Sequence, residues 1–277
     1  MQAWDGAAQV ASPPPGAAGW LRALLRGVPM VAVVTAGLFL LLLVRLVERP
    51  LCGMSRPVTP SITQGVCIVA LRLMGIRREV RGRAMTERGA AVANHASWLD
   101  IFALNASKRI YFVSKSEVAA WPGIGWLARA TGTVFIARDR REASAQTALF
   151  EARLRTGHRL MFFPEGTSTD GRRVLAFKPT LFEAFFTAGI PDLHVQPVTL
   201  AYHPPDGAAP AFYGWYGDAS FEGHMVRMLA APRHGRIVVT YHPPLRVADF
   251  AGRKDLARAA EQVVRTDLAS QGLLASP

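Results

Sequence analysis

Apolar and polar positions fall into three regimes along the chain. Residues 1–19 are rich in Ala, Pro and Gly, with Pro13-Pro14-Pro15 in a row, and predict a disordered tail. From Val28 to Val47 the chain is apolar apart from Thr35, Gly37 and Arg45. Wound as a helix, such a run spans roughly 30 Å, one hydrocarbon thickness. Pro29 then falls in the first turn, where a missing N–H costs little. Arg22 and Arg26 flank one end and Arg45 and Arg49 the other, placed to snorkel to the interface. A signal peptide would carry a shorter run and a small-residue cleavage site. Here Arg45-Leu46-Val47-Glu48-Arg49-Pro50 follows, so a retained anchor is expected. A second apolar stretch, Ile62 to Ile76, carries Gln64 and Arg72 and is too short to span comfortably. It reads as an interfacial helix, as the second arm of a helical hairpin, or as an ordinary core helix.

From about residue 79 short apolar runs alternate with helical stretches. The runs Ala90–Ala93, Ile110–Val113, Thr133–Ile136, Leu160–Phe163, Val195–Leu200 and Ile237–Tyr241 predict strands. Trp98–Ala106, Ala143–Thr156, Pro179–Ala188 and Lys254–Ala269 predict helices. This alternation predicts an α/β domain with a mainly parallel sheet flanked by helices. The expected organisation is a tail over 1–19, membrane-anchoring helices over 20–78 and one catalytic domain over 79–277.

Charge sharpens the picture. The 277 residues carry 32 Lys and Arg against 20 Asp and Glu, a net charge of +12. Beside an apolar anchor, that balance points to an anionic membrane surface. No aromatic-basic RNA signature, zinc-finger spacing or helix-turn-helix pattern supports a nucleic-acid partner. Arg72, Arg77, Arg78, Arg81 and Arg83 follow the second apolar stretch and place the main domain on the cytoplasmic side by positive-inside logic. The two cysteines, Cys52 and Cys67, lie in the N-terminal region, which leaves neither a disulfide framework nor a cysteine nucleophile in the main domain. His158, His194, His203, His224, His234 and His242 lack ligand spacing, so no metal site is expected. Gly123-Ile124-Gly125 follows Trp121-Pro122 rather than a strand, which argues against a dinucleotide fingerprint.

Three polar clusters begin where apolar strands end. Ala91-Val92-Ala93 runs into Asn94-His95, Val134-Phe135-Ile136 into Arg138, and Met161-Phe162-Phe163 into Pro164-Glu165-Gly166-Thr167-Ser168. Ligand crevices of open α/β sheets lie at the carboxyl ends of strands, so one site can collect all three. Ser97 is a candidate N-cap for a helix starting near Trp98, and Asp100 then sits in its first turn. From there Asp100 can reach back to His95 on the preceding loop, fixing its tautomer and stabilising the imidazolium. The spacing alone equally allows an Asp that favours a helix N-terminus and a His bonded to a loop carbonyl. Asn94 reads as a structural residue shaping the strand-to-helix loop.

Four blocks in order carry a resemblance. Asn94-His95-Ala96-Ser97-Trp98-Leu99-Asp100, Gly132-Thr133-Val134-Phe135-Ile136-Ala137-Arg138, Phe163-Pro164-Glu165-Gly166-Thr167-Ser168-Thr169 and Val195-Gln196-Pro197-Val198-Thr199-Leu200 resemble the blocks of the glycerophospholipid acyltransferase family. The resemblance covers roughly residues 90–200. It implies His95 as general base and Asp100 as its orienter. It implies Arg138, Glu165, Gly166, Thr167 and Ser168 as substrate-binding residues, with backbone N–H groups near Gly166 and Thr167 open to anionic oxygens. Pro197 would line the thioester side. The acyl donor would be a thioester of acyl carrier protein or coenzyme A, with no cofactor and no covalent acyl-enzyme. The implied location is a bacterial-type inner membrane.

One departure bears on the acceptor. The third block usually reads Glu-Gly-Thr-Arg-Ser, and here Ser168 stands in place of the Arg. That Arg is linked to the substrate phosphate, a contact worth roughly 1.5–3 kcal/mol. Arg172, Arg173 or Lys178 are candidates to compensate. The first expectation is 1-acyl-sn-glycerol-3-phosphate as acceptor, giving phosphatidic acid. The alternative is lyso-ornithine lipid, whose subgroup Phe212-Tyr213-Gly214-Trp215-Tyr216-Gly217-Asp218 also resembles.

Overall fold

The computed structural model describes residues 14–136 and 143–275. Two helices open it: α1, Ala17–Cys52, and α2, Thr59–Met74. The helix starts inside the expected tail, at Ala17, because Gly16 supplies an extended N-cap and Gly19 lets the first turn pack near Ala230. Helix α1 is therefore longer than the apolar run, and Pro29 lies well inside it rather than in its first turn. Among the described residues α1 is the one helix long and apolar enough to cross a membrane. At 36 residues its length is about 54 Å at 1.5 Å per residue.

Helix α2 is the return arm of a hairpin. Gly37 of α1 faces Val66 so closely that an added Cβ would lie 2.2 Å from Val66 Cγ2. At the elbow, the buried Glu48 carboxylate accepts from Val58 N–H at 2.8 Å, Thr59 N–H at 3.2 Å and Thr59 Oγ1–H at 2.7 Å. An acid from one helix thus caps the positive N-terminus of the other. Cys67, Ala70, Leu71 and Met74 bury the inner face of α2 in the domain core.

Among the described residues the domain has eight strands: β1 Arg77–Gly82, β2 Gly89–Ala93, β3 Tyr111–Lys115, β4 Val134–Ile136, β5 Leu160–Phe162, β6 His194–His203, β7 Arg236–Tyr241 and β8 Leu245–Arg246. Their order is β1-β7-β6-β2-β5-β3-β4, with β8 paired to β6. Among the described residues the β6–β7 and β6–β8 pairs are antiparallel and the other pairs parallel. Side-chain alternation along the central strands builds two cores. Ala91, Ala93, Met161, Leu200 and Tyr202 face α1, α2, α3 (Leu99–Ser107) and α7 (Phe221–Ala230). Ala90, Val92, Leu160, Phe162 and Val195 face the side of α5 (Ala143–Arg155), α6 (Glu183–Thr187) and α8 (Arg253–Ser270). A short helix α4, Ile124–Thr131, leads into β4.

Three of the four arginines flanking the apolar run bond to the protein itself. Arg22 Nε donates to Ala230 O at 2.9 Å, and Arg26 Nη1 donates to Leu229 O at 3.0 Å and Ala231 O at 2.6 Å. These are carbonyls at the C-terminus of α7, where cations offset the helix dipole. Arg45 turns to Glu48 and to the Gly53 and Ser55 carbonyls of the elbow.

Candidate active site

The parallel strands β2 and β5 are neighbours, so the loops leaving their carboxyl ends meet. Strand β2 stops because Asn94 takes over from the ladder. Its side-chain amide donates to Leu200 O at 2.9 Å, and its Oδ1 accepts from Leu200 N–H at 2.8 Å. The chain is then released from the sheet at His95.

His95 Nδ1 lies 2.6 Å from Asp100 Oδ2. Asp100 is the second residue of α3 and is fully buried. The same Oδ2 accepts from Ala96 N–H at 2.9 Å and Ser97 N–H at 3.1 Å. Asp100 therefore ties the loop before α3 to the helix's first turn, and the expected Ser97 cap is not made: Trp98 is the N-cap, without a side-chain bond, and Ser97 Oγ is buried without a partner. The other oxygen, Oδ1, accepts from the Tyr202 hydroxyl. Tyr202 stands on β6, beyond the Leu200 end that periodicity predicts for that strand.

The imidazole stacks on Phe163, with ring centroids 4.1 Å apart and planes 13° from parallel. The His95 side chain keeps 19% exposure. With Nδ1–H held by the carboxylate, Nε2 is left as the basic nitrogen. Among the described residues no Ser, Thr or Cys side chain hydrogen-bonds the ring. The site thus has the His and Asp arrangement of a hydrolytic triad, with no hydroxyl or thiol on the ring among the described residues.

The loop after β5 fixes the backbone around His95. Glu165 is 1% exposed; its Oε1 accepts from His95 N–H at 2.8 Å and its Oε2 from Leu175 N–H at 2.8 Å. Burial pushes its carboxyl up to about 8, against the pull of those two amides and with a further push from Asp100. Both oxygens are thus engaged by backbone amides, one of them that of His95. Thr169 N–H donates to His95 O at 2.9 Å. Gly166 adopts φ 73°, a value that suits glycine, and its N–H closes a turn on Phe163 O at 3.0 Å. That N–H is therefore not open to an anion. Among the described residues the N–H groups of Thr167 and Ser168 carry no partner. Pro197 is buried on β6, in register with Val92.

Ser168 Oγ donates to Trp215 O at 2.5 Å, and Trp215 N–H donates to Ala96 O at 2.8 Å. The segment from Phe212 to Asp218 is thereby pinned against both loops of the site. Gly214 permits the approach: an added Cβ would meet Asp170 Cα at 2.9 Å. Of the candidate compensating cations, Arg173 is held bidentate by Asp170, through Nε at 3.2 Å and Nη2 at 3.0 Å. Arg138 lies outside the described residues. Strand β4, Val134–Ile136, stands three positions from β2 in the sheet, about 14 Å at a spacing of about 4.8 Å.

The site residues that sequence reasoning missed are Tyr202, Phe163 and the Trp215 backbone. Phe163, which opens the third block, and the aromatic run around Trp215 carried a signal through the resemblance described above; Tyr202 carried none.

A protein-family model for acyltransferases matches residues 77–201. The chain is 56% identical over 266 residues to a lyso-ornithine lipid O-acyltransferase of Rhodobacter capsulatus, covering 96% of each chain. It is 37% identical over 142 residues to a 1-acyl-sn-glycerol-3-phosphate acyltransferase of Neisseria gonorrhoeae, covering 50% of this chain and 54% of that one. Its fold resembles the crystal structure of the 1-acyl-sn-glycerophosphate acyltransferase PlsC from Thermotoga maritima, with a TM-score of 0.57 at 19% identity over 91% of this chain and 100% of that chain.

Proposed function

The chain belongs to the acyltransferase family, and on that premise we propose that it transfers a fatty acyl group to the free hydroxyl of lyso-ornithine lipid. The observation that carries the acceptor is the Ser168–Trp215 contact. Where an Arg would reach for a phosphomonoester, a hydroxyl instead holds the aromatic segment against the His95 loop. The full-length likeness to a lyso-ornithine lipid enzyme supports the same reading, while the likeness to the phosphatidic-acid-forming enzyme covers half of the chain. This reverses the order of the two acceptors drawn from the sequence.

In the proposed reaction His95 Nε2 removes the proton from the acceptor hydroxyl as its oxygen attacks the thioester carbonyl. Asp100 holds Nδ1–H and stabilises the imidazolium. The N–H groups of Thr167 and Ser168 are the donors for the developing oxyanion. Collapse of the tetrahedral intermediate expels the thiolate of coenzyme A or acyl carrier protein, which takes the proton back from His95. Glu165 and Thr169 keep the His95 backbone in place, and Arg138 is the candidate for an anionic group on a substrate. We place the enzyme at the inner membrane, held by α1, with the site on the cytoplasmic side, where soluble acyl thioesters are supplied. The lysolipid acceptor and the basic surface fit an anionic bilayer.

The test offers purified full-length protein lyso-ornithine lipid and 1-acyl-sn-glycerol-3-phosphate side by side, with labelled acyl-coenzyme A and acyl carrier protein in separate arms. The expected result is at least tenfold higher kcat/KM for lyso-ornithine lipid. Replacing His95 by Ala should lower kcat by about 10²–10⁴ without loss of membrane association. Equal or better use of the phosphomonoester would overturn the acceptor, and fatty acid release without any acceptor would mark a hydrolase.

A further inference from the structure

The α1–α2 elbow and the strand ends opposite His95 gather a second cluster of cations. Arg56, in the elbow, donates through Nη1 to Ala130 O at 2.7 Å. Arg153, near the end of α5, lies with Cζ 5.7 Å from the Tyr111 ring centroid, and its Nη1 donates to His158 Nδ1 at 3.1 Å. Because Nδ1 accepts, the His158 proton sits on Nε2. His158 stacks on Tyr111 with centroids 4.3 Å apart. Arg45 adds a third guanidinium, paired with Glu48 at 3.1 Å. Burial and the charges of Arg153, Arg56 and Arg45 push His158 down to about 4, so the imidazole is neutral beside these guanidinium groups.

Three donors in this cluster are buried without a hydrogen-bond partner: Arg56 Nε, Arg153 Nε and His158 Nε2. The Met54 carbonyl faces His158 without closing a bond. Buried donors of this kind are uncommon, and each costs desolvation until an acceptor arrives. The exposed apolar side chains Leu46, Leu51, Met54 and Val58 surround the elbow. Tyr111 opens β3 and His158 precedes β5, so the cluster lies at the opposite end of those strands from Glu165, roughly 15 Å away at about 3.3 Å per residue.

We infer that this elbow binds the phosphate of an anionic phospholipid headgroup, with Arg56, Arg153 and His158 as donors and the apolar collar against its acyl chains. Donor-only chemistry selects an anion, guanidinium groups suit a phosphate, and the collar selects a lipid over a free ion. The site is separate from catalysis and does not depend on which acceptor the enzyme acylates.

The test is thermal unfolding of the full chain in neutral detergent with dihexanoyl phosphatidylglycerol, dihexanoyl phosphatidylcholine or inorganic phosphate. Phosphatidylglycerol should give a saturable rise in Tm. The apparent affinity should fall at least tenfold in the Arg56→Gln/Arg153→Gln variant and hold in Arg236→Gln/Arg258→Gln, which alters exposed arginines elsewhere. Equal affinity in the first variant, or an equal response to phosphatidylcholine, overturns the site. A full response to inorganic phosphate overturns the lipid as its source. A second readout needs no arginine variant: the His158 NMR titration, assigned with His158→Gln, should move upward when phosphatidylglycerol is added. No movement overturns the proposal.

Discussion

The phenol of Tyr202 donates to Asp100 Oδ1, the carboxylate oxygen that His95 does not use. The two residues are 102 positions apart in the chain and both are buried. Together with the Ala96 and Ser97 amides, the phenol spreads the Asp100 charge over several donors. Replacing Tyr202 by Phe removes one donor from the carboxylate that orients His95. kcat should fall about tenfold with KM unchanged, and stability by about 1–3 kcal/mol. A rise in KM with kcat unchanged would leave Tyr202 a packing residue.

Ser168 to Arg tests the acceptor from the opposite direction. The longer side chain cannot keep the hydroxyl contact to Trp215 O and pushes the aromatic segment off the Ala96 carbonyl. We expect at least a tenfold loss of kcat/KM with lyso-ornithine lipid and a rise in relative use of 1-acyl-sn-glycerol-3-phosphate. Ser168→Ala, which drops one hydrogen bond, should cost only a few-fold, about 1 kcal/mol.

Glu165 makes stability depend on pH. Its folded-state carboxyl is raised to about 8, whereas the unfolded carboxyl titrates near 4.5. Between those values the native state keeps a proton that the unfolded state has lost, so the Glu165 contribution declines as pH rises through the window. Glu165→Gln cannot titrate and leaves one backbone N–H without an acceptor, a cost of about 1–3 kcal/mol. Denaturant unfolding should show the wild type's advantage over the variant shrinking from pH 5 to pH 8.

Histidines act at the acid end. Burial lowers His224 to about 3 and His234 to about 4, from 6.5. The unfolded chain protonates first, so the stability these residues carry is complete above 6.5 and is lost as pH falls toward their folded values. Protonated His224 can no longer accept the Trp98 Nε1–H bond, 2.8 Å long, that ties α3 to α7. His224→Gln should unfold at a lower pH than wild type, as followed by Trp fluorescence.

The central strands were legible because β2 and β5 bury every residue, leaving unbroken apolar runs. The edge strand β1, Arg77–Gly82, was not, since Arg-Arg-Glu-Val-Arg-Gly pairs only with β7 and its burial is partial. Helix α7 was also missed, although Ser220 accepts from Gly223 N–H as an N-cap and Glu222 stands in its first turn. His95 and Asp100 could be paired from local spacing. Tyr202 could not, because only sheet register brings β6 beside β2. Glu165 was legible as a residue of the site but not in its role, which depends on burial that no motif spells out.

The guanidinium caps of Arg22 and Arg26 on α7 have a practical consequence. The first turns of α1 are fastened to the helix that follows the Trp215 segment, and that segment rests on the catalytic loop. Deleting the anchor to obtain a soluble enzyme would uncap α7 and strip the apolar cover from Met228 and Leu229. A truncated protein would therefore report on a loosened acceptor site, and kinetics meant to describe the native enzyme call for the intact chain in detergent or bilayer.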